Sequence, residues 1–260
     1  EAFRTRPIDE EVVYVWLDAL YEKVRSEGRV RSKAVVVAIG VTAQGTRTVL
    51  GFDVGDTESE AFWKEFLRSL VRRGLRGVQL VISDAHEGLK AAAAKVLTDS
   101  SWQRCRVHTM RSILTHVPKQ QQAMIAAAIK TIFAQPSQAE AFEQFEEVAT
   151  ALDKKCEKAA QKLREVAEDV LAYMAFPRAH WRQIHSTNPL ERLHKEIRRR
   201  TRVVGIFPNE LSYVRLVGML LAEQDDEWQA AERAYFSQAS MAQVTGGEEP
   251  PMLLKETATG

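Results

Sequence analysis

Three acidic residues stand where folding could bring them together: Asp18, Asp84 and Glu191. Asp18 follows the apolar, β-branched run VVYVWL, and Asp84 follows directly on VQLVIS, a short run of the kind found in buried strands, so each is expected at a strand end. Glu191 falls in the first turn of a helix expected over STNPLERLHKEIRRR, which opens on Ser186 or Thr187 as a cap and sets Leu190, Leu193 and Ile197 on one face. Acids at the ends of neighbouring strands, joined by a third from a helix, would converge despite their separation in sequence. Two unit charges about 4 Å apart repel by roughly 4 kcal/mol at an effective dielectric near 20, so clustered carboxylates call for cations. Two Mg²⁺ or Mn²⁺ ions suit such hard oxygen ligands, and a pair about 3.5–4 Å apart stabilises both the attacking and the leaving oxygen of an in-line phosphoryl transfer. The same positions also suit strand-end acids that close turns and a favourable charge at a helix N-terminus. Spacing alone does not choose.

The elements that must position these acids read as follows. After the first strand come RSKAVVVAIGVT and TRTVLGFDVGD, two apolar runs around the turn-prone stretch Ala43 to Thr46, which predict a hairpin and so three consecutive strands. Phe62, Phe66, Leu67 and Leu70 recur at helical spacing behind Ser59 as a cap, with Gly74 near the stop. A second helix is expected around HEGLKAAAAKVL and a further strand at WQRCRV. From beyond HTMRSIL to about Ala175 the chain is rich in Ala, Gln, Glu and Lys, without a strand signal. This predicts three or four helices, punctuated by Pro136 and Pro177 and forming an inserted helical subdomain. Gly205 and Pro208 end the Glu191 helix, one or two amphipathic helices follow, and a loose tail is expected from about Gln243. The expected division is 1–110 and 179–240 for an α/β core, 111–178 for the helical insertion and 241–260 for the tail.

Charge is segregated. The net charge of +1 hides a span of six Lys/Arg against two Glu at 188–202 and one of five Lys/Arg against nine Asp/Glu at 138–170. On the Glu191 helix, Lys195 and Arg198 lie four and seven residues beyond the acid and share its face, and Arg192, Arg199, Arg200 and Arg202 broaden the patch. Such a patch suits salt-dependent contact with DNA phosphates, or else an ion-pair network along the helix. In WQRCRVHTMR, Arg104, Arg106, His108 and Arg111 could reach phosphates beside the site, or form a solvated basic surface. Trp102 and Trp181 suit stacking on an unpaired base, or a place in the core. Cys105 and His108 form a C-x-x-H pair, half of a tetrahedral zinc site, but no second pair stands at ligand spacing, so structural zinc is not expected. His86, His116, His180 and His185 have no spacing that suggests joint metal binding. Two cysteines exclude a disulfide scaffold, and no apolar run reaches the roughly 18 residues of a membrane span, so a cytoplasmic protein is expected.

Read whole, VWLDALYEKVR, VISDAHEGLKAA, WQRCRVHTMRSIL and STNPLERLHKEIRRRTRVVGIFP, in that order, resemble the Mutator-related bacterial insertion-sequence transposases from about Tyr14 to Trp228. The resemblance implies a ribonuclease-H-like α/β core, a mixed sheet flanked by helices, interrupted by an all-helical insertion. It also implies an Asp-Asp-Glu metal site at Asp18, Asp84 and Glu191 that cleaves and joins DNA strands. The family carries the Cys105 and His108 pair after its second Asp, which implies a role near the active site or in local folding. Ser112 and His194 depart from the family, where Asn is common, and neither replaces a carboxylate. The implied partners are double-stranded DNA, as terminal inverted repeats and target, and a second copy in a homodimer, at the bacterial nucleoid. A helical DNA-binding region normally precedes the first acid in the family, so the chain is expected to be a piece of a longer protein. A related nuclease that cuts without joining, and a domesticated noncatalytic DNA-binding protein, are the competing expectations.

Overall fold

The computed structural model describes residues 2–26 and 28–246. In chain order it contains α1 (Ala2–Thr5), β1 (Val12–Ser26), β2 (Arg29–Thr42), β3 (Arg47–Gly55), α2 (Glu60–Arg72), β4 (Leu80–Ser83), α3 (Glu87–Val96), β5 (Ser101–Arg104), α4 (Arg106–Leu114), α5 (Gln122–Ile132), α6 (Gln138–Asp153), α7 (Glu157–Arg164), α8 (Ala167–Leu171), α9 (Trp181–Ile184), α10 (Asn188–Val204), α11 (Glu210–Gln229) and α12 (Gln238–Thr245). The five strands form one mixed sheet in the order β3-β2-β1-β4-β5. The first three are antiparallel, while β1–β4 and β4–β5 are parallel.

Strands buried on both faces read as continuous apolar runs, and β1 and β4 do. One face carries Trp63, Phe66 and Leu67 of α2 and Leu89 of α3 against Val15, Leu17 and Val81. The other carries Leu190, Leu193 and Ile197 of α10 and Tyr213 of α11 against Trp16, Leu20 and Ile82. Ser59 caps α2, its side chain accepting from the Phe62 amide at 3.2 Å. Within that helix Trp63 joins the buried face, while Phe62 is only partly covered.

Sequence reasoning ends the first strand at Asp18, but β1 continues to Ser26. Beyond Asp18 the buried positions thin to Leu20 and Val24, because β1 keeps its antiparallel neighbour β2 but has lost its parallel neighbour β4. On the β4 side β1 pairs with β4 from Tyr14 to Leu17, where Leu17 faces Ser83, and next with Phe207 at Val24. Between these points lies a notch in the sheet, closed below by β4 and above by the chain leaving α10, where the Arg25 amide donates to the Phe207 carbonyl at 2.8 Å. Asp18 stands at the floor of this notch.

Between β5 and α10 every regular element among the described residues is helical. Buried Gln103 of β5 docks this region: its Nε2 donates to the Val170 carbonyl at 3.0 Å, and its Oε1 accepts from the Tyr173 amide at 2.7 Å. Helix α12 occupies part of the stretch expected to be a tail, and residues 247–260 of that tail lie outside the described residues. No helix among the described residues is long and apolar enough to cross a membrane.

The turn expected at Ala43 to Thr46 is formed, with Gly45 at φ 82°. Its carbonyl accepts from the Phe236 amide at 3.1 Å, and a Cβ there would lie 2.2 Å from the Phe236 carbonyl oxygen. Gly45→Ala therefore combines a strained backbone with a backbone clash that no side-chain rotation relieves. A loss of about 2 kcal/mol is expected, read in thermal unfolding as a midpoint lower by about 4–8 °C. An unchanged midpoint refutes the assignment.

Candidate active site

The parallel ladder of β1 and β4 ends at the Leu17–Ser83 pair, and the next residues on the two strands are Asp18 and Asp84. In an open α/β sheet the ends of parallel strands at a change of strand direction form the natural crevice. Alternation along β1 puts Asp18 on the face of Trp16 and Leu20, the face that α10 covers. Asp18 and Asp84 line a cavity of about 400 Å³ with Arg104, His108, Ser112 and Lys162 among its walls.

Glu191 does not line this cavity but reaches its His108 wall, because the segment before α10 is fastened from three sides. Trp16 Nε1 donates to the Ser186 carbonyl at 3.1 Å, and the Arg106 amide donates to the His185 carbonyl at 3.0 Å. The third tie is Thr187. It occupies the cap position of α10, as expected, but its hydroxyl does not cap the helix; it lies 3.3 Å from Cys105 Sγ and 3.4 Å from Asp84 Oδ1. The Thr187 amide also points at Cys105 Sγ, at 3.4 Å.

A single imidazole joins two of the acids. His108 Nδ1 is 2.5 Å from Asp84 Oδ1, and its Nε2 is 3.1 Å from Glu191 Oε1. The Nδ1 contact is ionic rather than an aligned hydrogen bond, since no acceptor lies in line with it. Contact with Asp84, then with Cys105, pushes His108 up to about 10 against the opposing effect of burial, so the ring is cationic at neutral pH. Cys105 is fully buried, which raises its thiol, but contacts from His108 and Thr187 outweigh burial and hold it below the usual range. Asp18 has its own imidazole: Nδ1 of buried His194 lies 3.2 Å from Asp18 Oδ2, while Asp18 Oδ1 accepts from the Ala19 amide at 2.9 Å.

The donor set suits hard divalent cations. Asp84 Oδ2 and Glu191 Oε2 have no protein hydrogen bond among the described residues, and the side chains that face these acids are two imidazoles and the Thr187 hydroxyl, groups a cation would displace or supplement. Mg²⁺ or Mn²⁺ fits this chemistry, with Asp18, Asp84 and Glu191 as the residues that would hold it.

The basic residues separate into three places. Arg104 lines the acidic cavity, 3.3 Å from Asp169 and stacked over Trp102 at 5.2 Å. Arg106 and Arg111 face the other side of α4, where with Lys130 they border a separate cleft of about 500 Å³; Arg106 lies over the Phe133 ring at 4.8 Å. On α10, Arg192, Lys195, Arg198, Arg199, Arg200 and Arg202 are exposed, and Glu196 holds Arg199 at 2.6 Å and Arg200 at 3.2 Å. Trp102 is core, its Nε1 donating to Ser83 Oγ at 2.8 Å, and Trp181 is half-buried with its Nε1 on the Phe176 carbonyl at 2.7 Å.

Sequence reasoning missed the contacts of His194 and Thr187. The signal for His194 was its place three residues after Glu191, on the same helical face; nothing in the sequence marked Lys162, which reaches the cavity from α7. Of the unassigned histidines, His86 caps α3 with Nδ1 3.3 Å from the Leu89 amide. His180 Nδ1 is 2.7 Å from the Tyr14 hydroxyl, and burial lowers this ring to about 4.

Comparison with known proteins gives these residues a setting. Residues 1–231 match the family described as Transposase, Mutator family. The transposase for insertion sequence element IS1081 of Mycobacterium tuberculosis is 44% identical over 254 residues, 96% of this chain and 61% of its own length. The transposase for insertion sequence element IS256 in transposon Tn4001 of Staphylococcus aureus is 42% identical over 236 residues, 86% of this chain and 58% of its own length. The chain thus spans about three fifths of the length of these curated relatives. Among solved structures, a chain of the simian T-cell lymphotropic virus intasome in complex with PP2A regulatory subunit B56 gamma aligns with TM-score 0.28 and 10% identity, over 47% of this chain and 54% of its own, a likeness too slight to weigh. With the match reaching from the first strand to the end of α11, and all three acids inside it, the chain belongs to the Mutator family of transposases.

Proposed function

We propose that this chain is the catalytic core of a DNA transposase in which Asp18, Asp84 and Glu191 hold two divalent cations, Mg²⁺ or Mn²⁺, for strand cleavage and strand transfer at insertion-sequence ends. The observation that carries the reading is the approach of the three acids to one crevice: Asp18 and Asp84 leave adjacent strands at the same register and line one cavity, and Glu191, outside that lining, is joined to Asp84 through His108. The cations would supply charge neutralisation at the scissile phosphate. The protein supplies positioning. β1 and β4 fix two carboxylates, the fastened 185–187 segment aims the third, and Arg104 and Lys162 offer cationic contacts at the cavity wall. The mixed sheet, with its acids at the end of the central parallel pair, supports a ribonuclease-H-like reading, and the helices from α5 to α8 support an insertion at 111–178.

DNA is the substrate in this reading, and the basic groups outline its path. The α4–α5 cleft carries Arg106, Arg111 and Lys130 with no carboxylate in its lining, and the exposed cations of α10 lie beyond the third acid. These contacts grip phosphate and carry no base information. Handling two element ends together fits a homodimer.

Asp84→Asn and Glu191→Gln are each expected to lower metal-dependent cleavage of DNA bearing the element's ends by about a thousandfold, or about 4 kcal/mol of transition-state stabilisation, with circular dichroism unchanged. Metal-dependent cutting that survives in either variant sinks the assignment. Precut ends with a free 3′-hydroxyl should be joined to target DNA by the unaltered protein; cutting without joining favours the nuclease. Replacing Arg111 and Lys130 together with Ala should flatten the dependence of log binding constant on log salt by about two units, one for each phosphate no longer neutralised, and a slope that does not move removes the cleft from the path.

A further inference from the structure

We propose that Asp84, Cys105 and His108 form a second kind of cation site, selective for a thiophilic divalent ion such as Zn²⁺, whose occupation takes Asp84 away from the carboxylate set. The functional consequence rests on the reading of Asp84 as a catalytic ligand; the binding itself does not.

The geometry assembles three different donors from two elements. Cys105 precedes α4 and His108 lies in its first turn, so one turn of helix presents sulfur and imidazole together. Asp84 enters from the end of β4, and one ligand atom from each of the three residues lies within 4.8 Å of the others. A tetrahedral zinc site with bonds of about 2.0–2.3 Å places its ligands about 3.3–3.6 Å apart. Closing the longer separations and relaxing the 2.5 Å His108–Asp84 contact are small side-chain adjustments. A thiolate and an imidazole beside a single carboxylate make a donor set that favours zinc over magnesium.

Two further features separate this cluster from an accidental one. The sulfur has no solvent exposure, yet it faces both the amide and the hydroxyl of Thr187, donors that stabilise a thiolate and orient a metal-bound sulfur. Asp84 and His108 are partly exposed at the cavity wall, which gives an ion a way in and leaves a fourth position directed to that cavity. Binding deprotonates the thiol and the imidazole and releases those protons to solvent. The C-x-x-H spacing alone hides such a site, because the third ligand stands before it on another element rather than in a second spaced pair.

The two cation sites share Asp84 and differ elsewhere, which makes them separable. Titration calorimetry with Zn²⁺ and with Mn²⁺, together with the ultraviolet absorption of a cadmium–thiolate bond on adding Cd²⁺, is applied to the protein and its variants. One Cd²⁺ per chain should give the thiolate absorption, which Cys105→Ser abolishes and Cys156→Ser leaves intact. Zn²⁺ affinity should fall by more than about a hundredfold in Cys105→Ser and in His108→Ala, beyond what loss of an outer contact typically costs, with the fold of each checked by circular dichroism. Asp18→Asn should weaken Mn²⁺ and spare Zn²⁺. Zn²⁺ affinity that survives loss of Cys105, or that disappears with Asp18, overturns the proposal. If Zn²⁺ binds as described while Mn²⁺ does not bind the unaltered protein, this inference stands and the two-cation reading of the carboxylates fails.

Discussion

Two carboxylates that come from opposite ends of the fold share one imidazole, and the architecture around them is what that sharing demands. Asp84 and Glu191 would repel each other across a short gap, and the cationic His108 ring between them turns the repulsion into two attractions. Such a junction holds only if both approaching segments are fixed. β4 is fixed by parallel pairing on both sides. The 185–187 segment is fixed by side-chain and backbone bonds to β1 and to the start of α4, not by the helix it introduces. Helix α10 can therefore keep an outer face given over to positive charge without that face having to hold the helix in place.

That division also explains how a protein of net charge +1 presents a one-signed surface. The acidic α6–α7 region compensates itself: Arg164 pairs with Glu146 at 3.1 Å and with Asp153 at 2.8 Å. Among the described residues only Glu196 answers the arginines of α10, and it is engaged by two of them. Exposed pairs of this kind add little stability. Their larger effect is on the field, which stays positive along α10 and the α4–α5 cleft, where it would attract a polyanion.

Much of this was legible in the sequence, for reasons that differ by element. VQLVIS marked β4 and placed Asp84 at its end, since a short, doubly buried strand has an unambiguous composition. The leucine and isoleucine spacing of α10 was equally clear. Asp18 was misplaced at a strand end because β1 changes character there: past the last pair with β4 it loses a neighbour, its buried positions become Leu20 and Val24, and the alternation blurs. Ser186 and Thr187 both read as cap positions, and Thr187 takes the place without capping, since a propensity knows nothing of a cysteine across the fold that claims the hydroxyl. The role of His194 depended on β1 passing beneath α10, a tertiary fact beyond any local pattern.

Asp225 and the candidate acids differ in how fully the fold satisfies them. Asp225, on α11, is 2% exposed and saturated: Oδ1 accepts from the Val49 amide at 2.7 Å and the Thr48 hydroxyl at 2.9 Å, while Oδ2 pairs with Arg6 at 2.7 Å. Every lone pair that matters is used to join β3 to α11, and nothing remains for a ligand. Asp84 and Glu191 are half-exposed, each held by one oxygen and each with the other directed to no protein donor among the described residues. Around them the ordinary rules of satisfaction are relaxed as well, for His194 Nε2 and Thr109 Oγ1 are buried without partners among the described residues. Folding that wanted only stability would have closed these valences, as it did at Asp225. Keeping them open costs stability at this crevice, and the cost is intelligible where the carboxylates must remain available to something the chain itself does not provide.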